Sequence, residues 1–213
     1  LFLDMAAFRR FRMKPARQPL SPSPYAVENE LLLREVVDYC PELTPRFLPF
    51  VSVDPARCVR AQIRRLETLA SRYPIYGIKV SGVLCQSPLT AFHGDGRPLM
   101  NLIRRRNWPV LLHTSCSMAD RFSNHEQALG LAEAFPEIRF CLAHCIGFHR
   151  PALDRAAALP NVWIDTSALV IQVMATRQNH PIGAPRPIRF KADFRDPAAV
   201  LRALAEAYPD LKA

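Results

Sequence analysis

The sequence predicts an α/β fold built on a parallel sheet. From residue 47 onward, short apolar segments rich in β-branched or aromatic residues alternate with longer amphipathic segments, which is the pattern of strands that alternate with helices. The short segments are almost continuously apolar, so both faces of each strand are expected to be buried, as in a doubly wound sheet or a (β/α) barrel. The chain has 7 Gly and neither the GxGxxG nor the GxxxxGK[ST] fingerprint, which counts against a nucleotide-binding doubly wound sheet.

Five strands and five helices are predicted along the chain. The predicted strands are 47–53, 75–82, 109–113, 138–144 and 161–165. The predicted helices are 26–40, 54–73, 125–135, 150–159 and 196–208. The second helix is indicated by apolar residues at helical spacing and by Asp54 before Pro55, a typical start signal.

The length and composition predict one domain over residues 1–213. Residues 1–24 are expected to be an irregular or flexible N-terminal segment. Residues 176–196, rich in Pro and Arg, are expected to form a long loop at the mouth of the barrel, and such loops are often functional.

The formal net charge of +9 raises the question of nucleic-acid binding. The densest basic runs, one near the start and one at 104–106, lack interleaved stacking aromatics, so they are interpreted as solvated faces and no nucleic-acid partner is expected. No apolar run reaches the roughly 18 to 20 residues that span a membrane, and no membrane partner is expected. The 6 Cys contain no CxxC pair, which favours free thiols and a cytoplasmic location.

Chemically active side chains fall at or near the predicted strand ends. In a parallel barrel these ends converge on one mouth, where active sites form. Asp54, Lys79, His113, His144 and Asp165 occupy such positions. Two imidazoles on neighbouring strand ends suit a divalent metal such as zinc, and a histidine that is not a ligand can serve as a general base.

Each of these residues also has a structural interpretation. His113 can cap its strand, Lys79 can point outward toward the helices, and Asp165 can make a turn, while Asp54 is well explained as a helix N-cap. The recurrence of a strand-ending histidine at His144 favours a functional role for the histidine pair.

Four further residues lie near turns or helix starts. His93 and His125 are expected at the surface. His149 and Arg150, just past the fourth strand, are expected at the barrel mouth, where they would meet a substrate carboxylate.

The segments FLPFVSVDP, YGIKVSG, PVLLHTS, FCLAHCIG and NVWIDTSA, in this order and spacing, resemble the metal-dependent amidohydrolase-related family. They are similar to its amidohydrolase-2 branch, which includes non-oxidative decarboxylases and lactone hydrolases. The resemblance covers residues 47–210 and implies a distorted (β/α)8 barrel with a metal at its mouth.

The resemblance also implies roles for individual residues. His113 matches the metal-ligand histidine of the fifth strand of the family, and His144 matches the sixth-strand histidine, which is a second ligand in some members and an acid/base in others. Lys79 lies on the fourth strand, where some relatives in the wider superfamily carry a bridging carboxylated lysine, although the lysine of this branch is not generally that ligand. Asp165 matches an Asp-Thr-Ser strand ending with a structural or substrate-orienting role.

Two parts of the family pattern are missing from this sequence. The first strand of the family ends in His-x-His and its last strand ends in Asp, and neither ending is present. The expectation is therefore a (β/α)8 TIM-like barrel that lacks its first and last strands, either because the sequence is a piece of a longer protein or because the protein is a degenerate relative that cannot hold the metal. The start at Leu1 and the abrupt end favour the first explanation.

The expected function is a metal-dependent hydrolase or non-oxidative decarboxylase that acts on a small carboxylated or cyclic substrate. A divalent metal, zinc in the simplest case, would be held by His113 and His144, and His144, Asp165 and Lys79 would be catalytic. The alternative is a catalytically inactive barrel that serves as a binding or scaffold subunit. A small-molecule substrate is the expected partner, and a homo-oligomer is allowed.

Overall fold

The computed structural model describes residues 23–211, and within that range the chain is an α/β protein with a five-stranded parallel sheet. The strands are β1 (Phe50–Ser52), β2 (Gly77–Val80), β3 (Val110–Leu112), β4 (Phe140–Leu142) and β5 (Val162–Ile164). Their order in the sheet is β1-β2-β3-β4-β5, so chain neighbours are sheet neighbours, as in (β/α) barrels. The predicted fold class is confirmed. Most of the predicted N-terminal segment, 1–24, lies outside the described residues.

Eight α-helices occur between or beside these strands in the described range. They are α1 (Ala26–Arg34), α2 (Val59–Ala70), α3 (Gly82–Cys85), α4 (Arg97–Arg105), α5 (His125–Ala134), α6 (Arg150–Ala157), α7 (Leu169–Arg177) and α8 (Pro197–Ala207). Shorter turns of 3-10 or π type lie at Glu35–Tyr39, Pro41–Leu43, Leu89–His93, Ala143–Phe148 and Arg186–Ile188. None of the helices in the described range is long and apolar enough to cross a membrane.

The chain divides into two compact units, the first ending at Val110 and the second beginning at Leu111. In the first unit, β1 and β2 pair in parallel with Phe50 opposite Gly77. A Cβ atom at residue 77 would lie 2.3 Å from Cε1 of Phe50, so the ring occupies the space that any larger residue would need. Helices α2 and α4 pack against each other and bury apolar residues at helical spacing, which leaves the Arg-rich run at 104–106 exposed as predicted.

Asp54, in the first unit, is fully buried and hydrogen-bonded. It is not a helix N-cap as expected, since Cys58 is the N-cap of α2. Its Oδ1 accepts hydrogen bonds from the backbone N–H of Ala56 at 2.9 Å and from Oγ of Ser87 at 2.6 Å. Its Oδ2 pairs with Nε of Arg57 at 2.5 Å. The helix begins only at Val59, so the carboxylate organises the turn before α2 and compensates its own burial through these partners.

In the second unit, the chain leaves β4 through a left-handed turn. Residues 144–148 have φ values of 63°, 49°, 51°, 60° and 61°. Such a conformation costs roughly 1–2 kcal/mol for each residue that has a Cβ atom. The turn is held by backbone hydrogen bonds in which the N–H of Cys145 donates to the carbonyl of Asp165 at 2.9 Å and the N–H of Ala184 donates to the carbonyl of Gly147 at 2.8 Å.

Packing also holds this turn in place. Ile146 and Phe148 are fully buried, so unwinding the turn would expose them to water. At Gly147, a Cβ atom would lie 2.8 Å from the carbonyl oxygen of Ile182 and 2.9 Å from Sγ of Cys116. The left-handed conformation favours glycine at this position, and the lack of space for a Cβ atom sets Gly147 apart from its neighbours in the turn.

Replacing this glycine should destabilise the second unit. We expect Gly147→Ala to lower the free energy of unfolding by about 1–3 kcal/mol, because alanine adds both left-handed strain and a steric clash. Urea denaturation measures the change. The matched control is Gly130→Ala in α5, where a Cβ atom would meet nothing within 4 Å. That variant should gain about 0.4–1 kcal/mol, and equal stabilities for the two variants would contradict the analysis.

Candidate active site

Three predicted site residues follow strands of the second unit. His113 directly follows β3, His144 lies two residues after β4, and Asp165 directly follows β5. Oγ1 of Thr114 donates to the carbonyl of Ala143 at 2.5 Å and so ties the ends of β3 and β4 together. The parallel strands therefore deliver these three side chains to one edge of the sheet, as the sequence predicted.

His113 and His144 are in direct contact. Nδ1 of His113 lies 3.0 Å from Nε2 of His144, and the two half-buried rings meet edge to face with centroids 5.0 Å apart. The left-handed backbone at His144 turns its ring toward the end of β3, which the sequence did not indicate.

Ser167, two residues beyond Asp165, determines which ring nitrogen of His144 carries the hydrogen. Nδ1 of His144 lies 3.0 Å from the carbonyl oxygen of Ser167 and 2.9 Å from its Oγ. A carbonyl oxygen only accepts hydrogen bonds, and the Ser167 hydroxyl hydrogen is already donated to Oδ1 of Asp165. Nδ1 of His144 therefore carries a hydrogen, and Nε2 is the nitrogen with the lone pair.

This assignment sets the direction of the whole network. Because Nε2 of His144 accepts, Nδ1 of His113 must donate to it, which leaves the lone pair of neutral His113 on Nε2. The hydrogen bonds run from His113 to His144, from His144 to Ser167 and from Ser167 to the carboxylate of Asp165. The network therefore connects the imidazole pair to a carboxylate.

Asp165 also shapes the backbone on which these residues lie. Its Oδ1 accepts hydrogen bonds from the backbone N–H of His144 and from that of Ser167, each at 2.9 Å. The carboxylate thus anchors both the start of the left-handed turn and the Ser167 loop.

The family resemblance implies a metal, and the imidazole pair fits part of a metal site. In the hydrogen-bond network Nδ1 of His113 and Nε2 of His144 face each other, so the nitrogen of this pair that could bind a metal is Nε2 of His113. The contact of His144 with Ser167 is the kind of outer hydrogen bond that orients ligand histidines. Among residues 23–211, however, no group of three or more His, Cys, Asp or Glu side chains could hold a metal ion. Within the described range the pair thus offers a metal Nε2 of His113, with His144 as the outer hydrogen-bond partner.

Two other predicted site residues are placed differently. Lys79 lies in β2 of the first unit and is buried, with 9% of its surface exposed. Arg150, at the start of α6, directs its Nε to the carboxylate of Asp154 at 2.9 and 3.1 Å, and this ion pair is exposed. The guanidinium charge of Arg150 is therefore already matched within its own helix.

His125 was predicted at the surface, and that prediction is wrong. The residue opens α5 with only 2% of its surface exposed, and its ring packs against that of His149 with centroids 4.2 Å apart. His149, also buried, is the N-cap of α6, where its Nδ1 accepts from the backbone N–H of Ala152 at 3.2 Å. In the sequence His125 lies among polar residues at the start of a helix, a pattern that does not indicate burial.

Burial lowers the pKa of both His125 and His149 below the usual value for histidine. The neighbouring ring of His125 further lowers the pKa of His149. Glu126 opposes the shift at His125, because its carboxylate lies 3.3 Å from Nε2, but it is also paired with Arg155. Nδ1 of His125 has no hydrogen-bond partner in the described part of the chain, so this ring is a buried imidazole without full compensation.

These shifts predict that acid destabilises the second unit. The folded-state pKa values are lowered, so the unfolded chain binds more protons, and stability is complete above the unfolded pKa of about 6.5 and falls as the pH drops through it. His149→Asn retains a good N-cap residue but cannot titrate. The free energy of unfolding of this variant should fall less between pH 7.5 and pH 5.5 than that of the parent. Equal losses in urea denaturation at the two pH values would contradict this account.

Comparison with known proteins agrees with the resemblance seen in the sequence. The family model described as amidohydrolase matches residues 6–211. No curated protein matches the chain. Among solved structures, an uncharacterised TIM-barrel protein from Bordetella bronchiseptica is similar, with 14% sequence identity and a TM-score of 0.49 over 67% of this chain and 48% of that one. The chain therefore spans about half the length of that structure. On the match to the family model, which covers almost the whole chain, this protein belongs to the amidohydrolase family.

Proposed function

We propose that the chain carries part of the active site of a metal-dependent hydrolase or non-oxidative decarboxylase for a small carboxylated or cyclic substrate. The observation that carries the proposal is the contact of His113 with His144 at two strand ends, in a network that ends at the carboxylate of Asp165. A chain of hydrogen bonds that links a histidine to a carboxylate is an arrangement suited to a group that moves protons.

In this proposal His113 holds the metal through Nε2, the nitrogen that carries its lone pair. His144 then orients His113 by accepting from its Nδ1, as outer partners of metal-binding histidines do. When bound, a divalent metal such as zinc polarises a substrate carbonyl and lowers the pKa of water toward about 7. Residues 23–211 hold no group of three or more His, Cys, Asp or Glu side chains that could bind a metal, so they do not supply the remaining ligands.

The proton chemistry belongs to His144, with Asp165 stabilising its charged form. Nε2 of His144 can take up a proton once its contact with Nδ1 of His113 opens, and the imidazolium then formed keeps its Nδ1–H toward Ser167. Arg150, once released from Asp154, would meet a substrate carboxylate at this site.

The second candidate function is a barrel without catalytic activity that serves as a binding or scaffold subunit. It is favoured by the shortage of metal donors in the described residues. The two functions differ in metal binding, because an inactive scaffold needs no affinity at His113.

Metal binding is the first test of the proposed function. Zinc titrated calorimetrically into the full chain should bind, and His113→Asn should weaken that binding at least tenfold, because a ligand nitrogen is lost. The control is His93→Asn, which removes an exposed histidine of the first unit and should bind zinc as the parent does. The absence of zinc binding in the parent, or equal affinity in the parent and in His113→Asn, would favour the scaffold.

Ser167 should act as a positioning residue for His144. We expect Ser167→Ala to lower kcat by about tenfold, the usual scale for a lost outer hydrogen bond, and to shift the pH profile of kcat. Candidate substrates are aromatic carboxylates, assayed by release of carbon dioxide, and lactones, assayed by acid production.

A readout independent of turnover is nitrogen NMR of the histidine rings. It should show His144 protonated at Nδ1 in the parent and a mixture of tautomers in Ser167→Ala. An unchanged tautomer and an unchanged pH profile in the variant would remove Ser167 from the network.

A further inference from the structure

A second concave site lies in the second unit, apart from the contact of His113 with His144. Its volume is about 340 Å³, which is within the range of small-molecule sites. It is lined by three stretches of chain, residues 116–118, His149 and residues 179–188, and no acidic residue is among those that line it in the described structure.

His149 offers this cavity a hydrogen-bond donor. Because Nδ1 of His149 accepts from the backbone N–H of Ala152, the hydrogen of the neutral ring is on Nε2. Nε2 has no hydrogen-bond partner among residues 23–211, although the side chain is more than nine-tenths buried and lines the cavity. His180 also lines the cavity, and its Nδ1 likewise accepts a hydrogen bond from a backbone N–H, that of Ile182 at 3.4 Å.

Positive charge is concentrated beside the cavity without a matching carboxylate. Nε of Arg186 and Nη2 of Arg189 both donate to Oδ1 of Asn179, a lining residue, at 3.0 and 3.1 Å. Neither guanidinium forms an ion pair within the described part of the chain, and each retains further N–H donors. Burial and the charge of Arg186 lower the pKa of Arg189, as expected when two like charges are held close together.

The rest of the wall is neutral and largely apolar. Burial raises the pKa of the Cys116 thiol to about 11, so it carries no charge near pH 7. Met118 and Ile188 expose 63% and 37% of their surfaces, and two prolines of the 179–188 stretch also line the cavity. A ligand there would have an apolar body and an anionic head.

We infer that this cavity binds a small molecule with a carboxylate on an apolar or aromatic body. The carboxylate would accept from Nε2 of His149 in the positive field of Arg186 and Arg189, while the body contacts Met118 and Ile188. This binding site stands on its own geometry, and it would remain if His113 and His144 catalysed no reaction.

Benzoate and benzamide form a matched pair of probes, since they share a ring and differ in charge. Calorimetric titration of the full chain without added metal should detect benzoate binding that is at least tenfold tighter than benzamide binding and that weakens with salt. Arg186→Gln and His149→Asn should each weaken benzoate binding at least threefold.

The control is Arg202→Gln, which removes an exposed arginine of α8 that pairs with Asp196, and it should bind benzoate as the parent does. Equal affinity for the two probes, the absence of benzoate binding, or unchanged binding in Arg186→Gln would each overturn the inference. Because no metal and no turnover are involved, these outcomes are separate from a failure of the proposed function.

Discussion

The second unit depends on the carboxylate of Asp165. One oxygen of this side chain accepts hydrogen bonds from the backbone of His144, from the backbone of Ser167 and from the Ser167 hydroxyl. The same atom therefore anchors the exit from β4, shapes the loop after β5 and terminates the hydrogen-bond network of the imidazole pair. A neutral side chain at this position would lack the negative charge that strengthens the hydrogen bonds from these three donors.

The strained left-handed turn begins at His144, one of the two imidazoles in contact. Backbone conformations of this kind persist only where the surroundings over-determine them, and they concentrate at functional sites. Here the turn is held by hydrogen bonds to the Asp165 backbone and to the 184–190 stretch, and by the burial of Ile146 and Phe148. The turn places Nε2 of His144 3.0 Å from Nδ1 of His113, so the strained backbone positions the ring of His144.

The unit contains two imidazole pairs in opposite environments. His113 and His144 follow strands, and a network that leads to a carboxylate supports positive charge there. His125 and His149 lie at helix N-termini, where the helix dipole and burial both oppose a proton. The first pair lies in a hydrogen-bond network that ends at Asp165, whereas burial keeps the second pair neutral, and His149 leaves one ring nitrogen as a donor at the cavity.

The sequence by itself determined the α/β class, the five strands and the presence of His113, His144 and Asp165 at strand ends, because a continuous apolar run and its length can be read locally along the chain. Only the tertiary structure decided the rest. Helix α4 was not predicted, although its apolar residues lie at helical spacing on one buried face. In α7, Val170, Ile171 and Met174 are exposed, so its apolar residues do not mark a single buried face. The role of Ser167 and the burial of His125 depend on contacts between residues distant in the chain, and the protonation of His144 follows from a network that no spacing reveals.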